Sequence, residues 1–226
     1  MKVKQPKFFV CENVPGILFQ KNKQALDLFC EGFKEAGYNL SVTKYNAEDY
    51  GDCQDRERVI FFGVRADLEL DTKLDLEKQK KVTLRDGIGD LQDSAVMSLP
   101  GNRANKDLKI PNHEYFTGNF SSMFMSRNRV RAWDETGYTV QASGRQCQLH
   151  PQAPKMEKVG TDKFRFSPGS EDLYRRLTVR ECARLQGFPD DFIFYYDKVD
   201  NGYKMVGNAV PVHLSYAIAK AIKNKF

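Results

Sequence analysis

The strongest constraint on the fold lies in the first 65 residues, where short apolar runs alternate with one amphipathic segment. Residues 8–14 (FFVCENV) read as a short buried strand, and residues 22–36 place Ala25, Leu26, Leu28, Phe29 and Phe33 at helical spacing. Gly37 supplies a helix stop, and residues 39–46 and 58–64 (RVIFFGV) read as further strands. Strand, helix, strand is the pattern of an α/β layer. From Ala66 the pattern fades. Residues 67–81 are rich in charge and residues 98–112 read as loop. Short β-like runs return at 123–142, and the segment TVRECARLQGF is helical. The last stretch, after Pro211, shows an apolar face of Val212, Tyr216, Ile218, Ala219 and Ile222, and lysines close it at 220, 223 and 225, where cations suit the helix dipole.

Composition narrows the class without naming a function. The 226 residues are 41% apolar and 29% charged, enough for a real core in one large or two small domains. No stretch approaches the roughly 18 apolar residues of a membrane span, and the basic N-terminus leads into too short an apolar run for a signal peptide. A cytoplasmic protein is the expectation. The five cysteines, Cys11, Cys30, Cys53, Cys147 and Cys182, are odd in number and show no CxxC pair, which argues against a disulfide framework or a zinc site. The net charge of +5 suits nucleic acid and decides nothing alone.

Four constellations could carry chemistry. Glu12-Asn13-Val14 ends a strand; it is either a solvated loop acid or a carboxylate facing the ligand crevice of an open α/β sheet. Gln54, Arg56 and Arg58 alternate with Asp55 and Glu57. If extended, they form either a salt-bridged edge strand or a row of donors for a phosphate or base carbonyl. Arg127, Arg129 and Arg131 repeat the device, and Arg145 follows. Arginine presents two parallel donors that match guanine O6 and N7, although a charged sheet edge has the same composition. Gly207-Asn208-Ala209-Val210-Pro211-Val212 reads as a turn into the last helix.

Taken in order, these segments resemble the DNA cytosine-5 methyltransferases. ENV resembles that family's motif VI, NAEDYGDCQDRERV motifs VII and VIII, RRLTVRECARLQGFPDDF motif IX, and GYKMVGNAVPV motif X. The interval from about Ala66 to Tyr174 then matches the place of the family's variable target-recognition domain. Within it, PNHEYF, FMSRNRVRAW and TVQASGRQCQLHPQAP are similar to the GGCC-specific HaeIII-type enzymes. The resemblance implies S-adenosylmethionine as cofactor, a double-stranded GGCC site as substrate, base flipping, and a prokaryotic restriction-modification setting. It implies that Glu12 contacts N3 and the amino group of the flipped cytosine, with Asn13 shaping that loop. Arg58 holds the cytosine O2 and orients Glu12, and Arg56 and Gln54 support the pocket. Arg127, Arg129 and Arg145 read guanines, and Asn208 and Ala209 line the methionine end of the cofactor.

The implied fold is α/β: an incomplete Rossmann-like sheet from residues 1–65 and 192–226, with a smaller, irregular, β-containing recognition domain over 66–191 that carries motif IX. The family's reaction begins with a cysteine thiolate attacking C6 of the flipped base, from a Pro-Cys loop upstream of ENV. None of the five cysteines follows a proline, and no glycine-rich turn opens a helix near the N-terminus. The expectation is therefore a split subunit, the product of a disrupted gene or a fragment, inactive without an N-terminal methyltransferase polypeptide and poorly soluble without a partner. A non-catalytic GGCC-binding module is the alternative. An RNA cytosine methyltransferase shares the catalytic motifs but not the recognition blocks.

Overall fold

The computed structural model describes residues 1–226. Strand β1 (Phe8–Asn13) is followed by helix α1 (Lys23–Glu35) and strand β2 (Tyr38–Asn46). Gly37 ends α1 at φ 87°, a left-handed conformation that side chains with a Cβ resist. A two-residue strand β3 (Gln54–Asp55) then leads into β4 (Glu57–Arg65). The sheet order is β1-β4-β2, with β4 antiparallel to both neighbours; Glu12 stands opposite Ile60 and Asn13 opposite Val59.

Burial is uneven across this sheet. Strand β4 is buried from Arg58 to Val64, as a central strand covered on both faces must be. Strand β1 departs from the expected buried strand: Phe8, Val10, Glu12 and Asn13 are exposed. Its outer edge pairs with nothing, so one row of backbone groups and half of its apolar side chains face solvent. Helix α1 buries none of its residues, and Leu28 and Phe29 are exposed.

The other face of the sheet is covered by α5 (Val212–Lys223). Leu214, Ile218 and Ile222 form an i, i+4 stripe that packs on Ile60, Phe62 and Val64. Tyr216, expected on that stripe, is 70% exposed, because two residues along a helix turn its side chain by about 200° away from Leu214. Gly207 and Asn208 also differ from the expected turn: they end helix α4 (Val199–Asn208), and the bend falls at Ala209–Pro211.

Between β4 and α4 regular structure is sparse. Helices α2 (Leu84–Ile88) and α3 (Val179–Leu185) and strands β5 (Val96–Met97), β6 (Glu114–Tyr115), β7 (Gly137–Tyr138), β8 (Glu157–Gly160) and β9 (Lys163–Arg165) are its elements. Of the β-like runs expected at 123–142, only β7 is a strand, and it pairs with β3. The core here is a 15-residue cluster that takes in Cys53, Leu84, Phe116, Val140, Leu185 and Tyr203, drawing on both sides of the expected boundaries at 65/66 and 191/192.

Helix α3 organises this part. Thr178 and Glu181 form a reciprocal capping box at its start. Glu181, fully buried, receives both terminal nitrogens of Arg175 at 2.7 and 2.8 Å. Arg180, equally buried, donates to the carbonyls of Pro111, Pro189 and Phe192. Arg176 donates to those of Phe116, Gly118 and Asn119 and lies 4.2 Å from the Phe120 ring centre. Removing one member of a buried charge pair of this kind costs about 3–5 kcal/mol.

His150 is buried against this pair, its Nδ1 accepting from the Gln152 backbone N–H and its Nε2 3.5 Å from Glu181. Although that distance admits an ion pair, burial outweighs the carboxylate and pushes the pKa down to about 4, so the ring is neutral. A histidine whose folded pKa lies below its unfolded value stabilises the fold fully above about pH 6.5. That contribution is lost as pH falls toward 4. Urea midpoints measured from pH 7 to 4.5 should decline by an amount on the order of 3 kcal/mol, with His150→Gln flattening the decline. A midpoint constant across this range would show that the ring is protonated in the fold.

Candidate active site and nucleic-acid interface

Two groups of polar side chains meet where β1, β3 and β4 approach α4. At the end of β1, Glu12 Oε1 lies 2.5 Å from Arg58 Nε. The N–H does not point at the carboxylate, so the contact is an ion pair more than a directed hydrogen bond. Arg58 Nη1 donates to the Glu57 carbonyl at 2.7 Å. Burial lowers the pKa of Arg58, and Glu12 opposes that shift. Asn13 turns its side chain back on the chain, accepting from the Val14 N–H.

Gln54, Arg56 and Arg58 share one buried face, as their alternation implies. Arg56 and Gln54 spend their donors within the chain, mostly on backbone carbonyls. Arg56 donates to the carbonyls of Val140, Gly207 and Ala209. Burial pushes its pKa down to about 10, which leaves it charged at neutral pH. Gln54 donates to the Leu185 carbonyl and to Gln186 Oε1, and accepts from Val140 N–H. Gln186, which nothing in the sequence patterns singled out, donates to the carbonyls of Val206 and Ala209. These three side chains clamp the end of α4 to residue 140 of the middle region. The Ala209 backbone is thereby fixed, while the Asn208 side chain is exposed and makes no hydrogen bond within the chain.

The start of α5 is fixed from the same loop. Asp52, fully buried, accepts from the N–H groups of His213 and Leu214 and from His213 Nδ1. This caps the helix from a distance and raises the His213 pKa.

A second group forms a polar cavity of about 410 Å³ lined by Arg127, Arg129, Thr139, Gln141, Gln146 and Gln148, among others. Of the three alternate arginines, Arg127 and Arg129 line this cavity and Arg131 does not. Asn128 bonds both the N–H and the carbonyl of Val130, bending the chain between them. Arg127 is exposed. Arg129 is buried, with Nε on the Phe124 carbonyl and Nη2 on that of Met123, leaving Nη1 without a partner. Arg131 lies 4.3 Å from the Tyr138 ring centre, near Asp55 and Glu135. Arg145 is exposed in a neighbouring cavity that shares Gln146. The glutamines belong to the polar run TVQASGRQCQ, whose amides suit phosphate and base contacts.

Burial raises the Cys11 thiol and pushes Cys53 up to about 12, and the thiolate is the reactive form. No helix is long and apolar enough to cross a membrane.

The family model for C-5 cytosine-specific DNA methylases matches residues 1–224. The chain belongs to that family. It is 56% identical over 227 residues to the type II methyltransferase M.NgoPII of Neisseria gonorrhoeae, a match that takes in 99% of the chain and 66% of that protein. Against M.FnuDI of Fusobacterium nucleatum it is 53% identical, covering 97% of the chain and 65% of the relative. The chain thus spans about two thirds of the length of these two relatives. Among solved structures, a DNA modification methyltransferase encoded in an Escherichia coli prophage shares the fold, with a TM-score of 0.68, 22% identity and coverage of 98% of this chain and 70% of that one. The Entamoeba histolytica methyltransferase EhMeth does so at a TM-score of 0.61 and 15% identity, covering 98% and 64%. Membership in a methyltransferase family of this kind implies S-adenosylmethionine as cofactor.

The clamp also makes a packing demand. A Cβ on Gly207 would stand 2.5 Å from the Ala142 nitrogen and the Gln141 carbonyl carbon, both backbone atoms that no rotamer change can move. Gly207→Ala should therefore cost about 1–3 kcal/mol, read as a lowered urea midpoint. An unchanged midpoint would mean that the end of α4 and residues 141–142 separate freely.

Proposed function

We propose that this chain is the recognition and C-terminal part of a DNA cytosine-5 methyltransferase that modifies GGCC. An N-terminal polypeptide supplies the cysteine nucleophile and the glycine-rich cofactor loop. The observation that carries this reading is the Glu12–Arg58 pair at the end of β1, beside a clamp that joins the end of α4 to the polar cavity. The division into residues 1–65 and 192–226 for the catalytic part and 66–191 for recognition belongs to the same proposal.

In this reading Glu12 hydrogen-bonds N3 and the amino group of the flipped cytosine. Proton donation there draws electron density from C6 and prepares it for the thiolate. Arg58, half neutralised by Glu12, donates to the cytosine O2 and holds the carboxylate in place. Asn13 keeps the backbone of that loop folded on itself. Gln54 and Arg56 position other groups and touch no base, because their donors are engaged. Arg127, Arg145 and the free Nη1 of Arg129 point to guanine reading, and Gln141 and Gln146 add amides of the kind that read base edges. Asn208 and Ala209 hold the methionine end of S-adenosylmethionine, which supplies the methyl group.

The open edge of β1 and the exposed apolar side chains of α1 support an N-terminal polypeptide docked there. The deciding assay is transfer of labelled methyl from S-adenosylmethionine to a GGCC duplex, by the chain alone and mixed with a polypeptide carrying the Pro-Cys loop. Transfer in the mixture alone shows that the chain acts together with N-terminal methyltransferase sequence that carries the nucleophile. GGCC binding with no transfer in either case leaves the non-catalytic module, and transfer by the chain alone overturns the assignment of the nucleophile.

In the active mixture, Glu12→Gln should lower methyl transfer by about 100-fold or more while leaving DNA affinity within a few-fold. Parallel loss of binding and transfer would remove Glu12 from the chemistry. Arg127→Ala or Arg145→Ala should lower discrimination at one guanine by about 1–3 kcal/mol, measured by competition between GGCC and single-base variants. A uniform loss on every duplex would mark a phosphate contact instead.

A further inference from the structure

We propose that the cavity between residues 104–114 and the 193–197 loop binds a small aliphatic ammonium ion, with Glu114 as its anchoring carboxylate. The cavity measures about 370 Å³ and shares no lining residue with the polar cavity of the candidate interface. It holds space for several waters at roughly 30 Å³ each, and so for a short alkyl chain.

Glu114 lies in β6 and is 1% exposed. Its Oε1 accepts a hydrogen bond from the Tyr196 hydroxyl at 2.9 Å. Its Oε2 is buried and has no partner, and Glu114 is among the residues that line the cavity. A buried carboxylate oxygen without a donor costs more than an ordinary lost hydrogen bond, and a donor arriving through the cavity removes that cost.

The surroundings select the donor. The nearby guanidinium of Arg180 is engaged by the carbonyls of Pro111, Pro189 and Phe192. Lys106 is exposed at the rim, 3.1 Å from Asp197. Neither reaches Oε2. The walls bring the rings of Phe194, Tyr195 and Tyr196 together with the apolar side chains of Leu108 and Ile193. Aromatic faces attract a cation, and apolar walls suit an alkyl chain. A hard metal ion asks for six to eight oxygen ligands, and no group of three His, Cys, Asp or Glu side chains is present to hold one. A primary ammonium needs only one carboxylate and brings three donors. A second amine on the same chain would emerge beside Asp197, which is 89% exposed at the mouth.

The test titrates the full chain with n-butylammonium chloride, using sodium chloride at equal ionic strength and n-butanol as controls, and reads nuclear Overhauser transfer between the butyl protons and aromatic ring protons. The expected result is saturable transfer with butylammonium and none with butanol, weakened at least tenfold by Glu114→Gln and retained by Lys106→Met. Equal response to butanol, absence of saturable transfer, or full retention in Glu114→Gln overturns the proposal. Circular dichroism checks the folding of Glu114→Gln. If that variant does not fold, the wild-type comparison of butylammonium with butanol decides the matter.

Discussion

The middle of this protein depends on the buried pair of Arg175 and Glu181 and on the two arginines that lie between them in sequence. A region with so few strand pairs has little backbone ladder to satisfy its carbonyls. Arg176 and Arg180 do that work from the side, and between them they collect six carbonyls from segments that are far apart in the chain. Each guanidinium replaces a piece of sheet. A charge buried for this purpose is held only while its donors are engaged, which explains why Arg180 can be fully buried within a helix of seven residues. The capping box places Glu181 one turn into α3, where the helix N-terminus, Arg175 and the Thr178 N–H all favour its charged form. The irregular loops take their shape from α3 and are rigid to the extent that these contacts hold.

The same device recurs at the clamp. Arg56, Gln54 and Gln186 join three stretches of chain that no secondary structure connects: β3–β4, residue 140, and the end of α4. Gly207 lets the α4 backbone close on residues 141–142 at a distance only a glycine permits. Under the proposed assignment, one end of this contact faces the cofactor and the other the cavity that reads guanines. A displacement at Gln141 would then reach Ala209 through two hydrogen bonds and a backbone contact, which ties the register of bound DNA to the geometry of the methyl donor.

Much of the sheet was legible in the sequence. Strands at 8–13, 38–46 and 57–65 and the helix between the first two lie within a residue or two of their apolar patterns, because period and turn residues are local signals. Burial was less so: β1 has the sequence of an interior strand and the exposure of an edge, and exposure depends on what lies beside a strand. The arginine pattern at 127–131 is met only in part for a related reason: Arg127 and Arg129 line one cavity and Arg131 does not. Alternation specifies a shared face only if the backbone is extended, and the Asn128 side chain bends it. Gln186 carries no local signal at all, since a glutamine at a helix end is ordinary until its long-range partners are known. The motif order, by contrast, pointed to the family because it samples many positions at once. The roles of Glu12, Arg58 and the guanine readers came with that resemblance and did not follow from spacing.

The exposure of β1 bears on chemistry as well as on solubility. Glu12 sits at the end of a strand whose inner neighbour, β4, supplies Arg58, and whose outer edge has an unfilled row of hydrogen bonds. A strand added there would complete the sheet, cover Phe8 and Val10, and bring the loop at its own end next to Glu12. Under the proposed function that loop carries the thiolate, so one docking event would both bury apolar surface and set the nucleophile against the acid. The Glu12–Arg58 pair is already formed without it, so the incoming polypeptide would meet a carboxylate that is oriented in advance. Its binding energy would then go into placing the cysteine and not into ordering both partners.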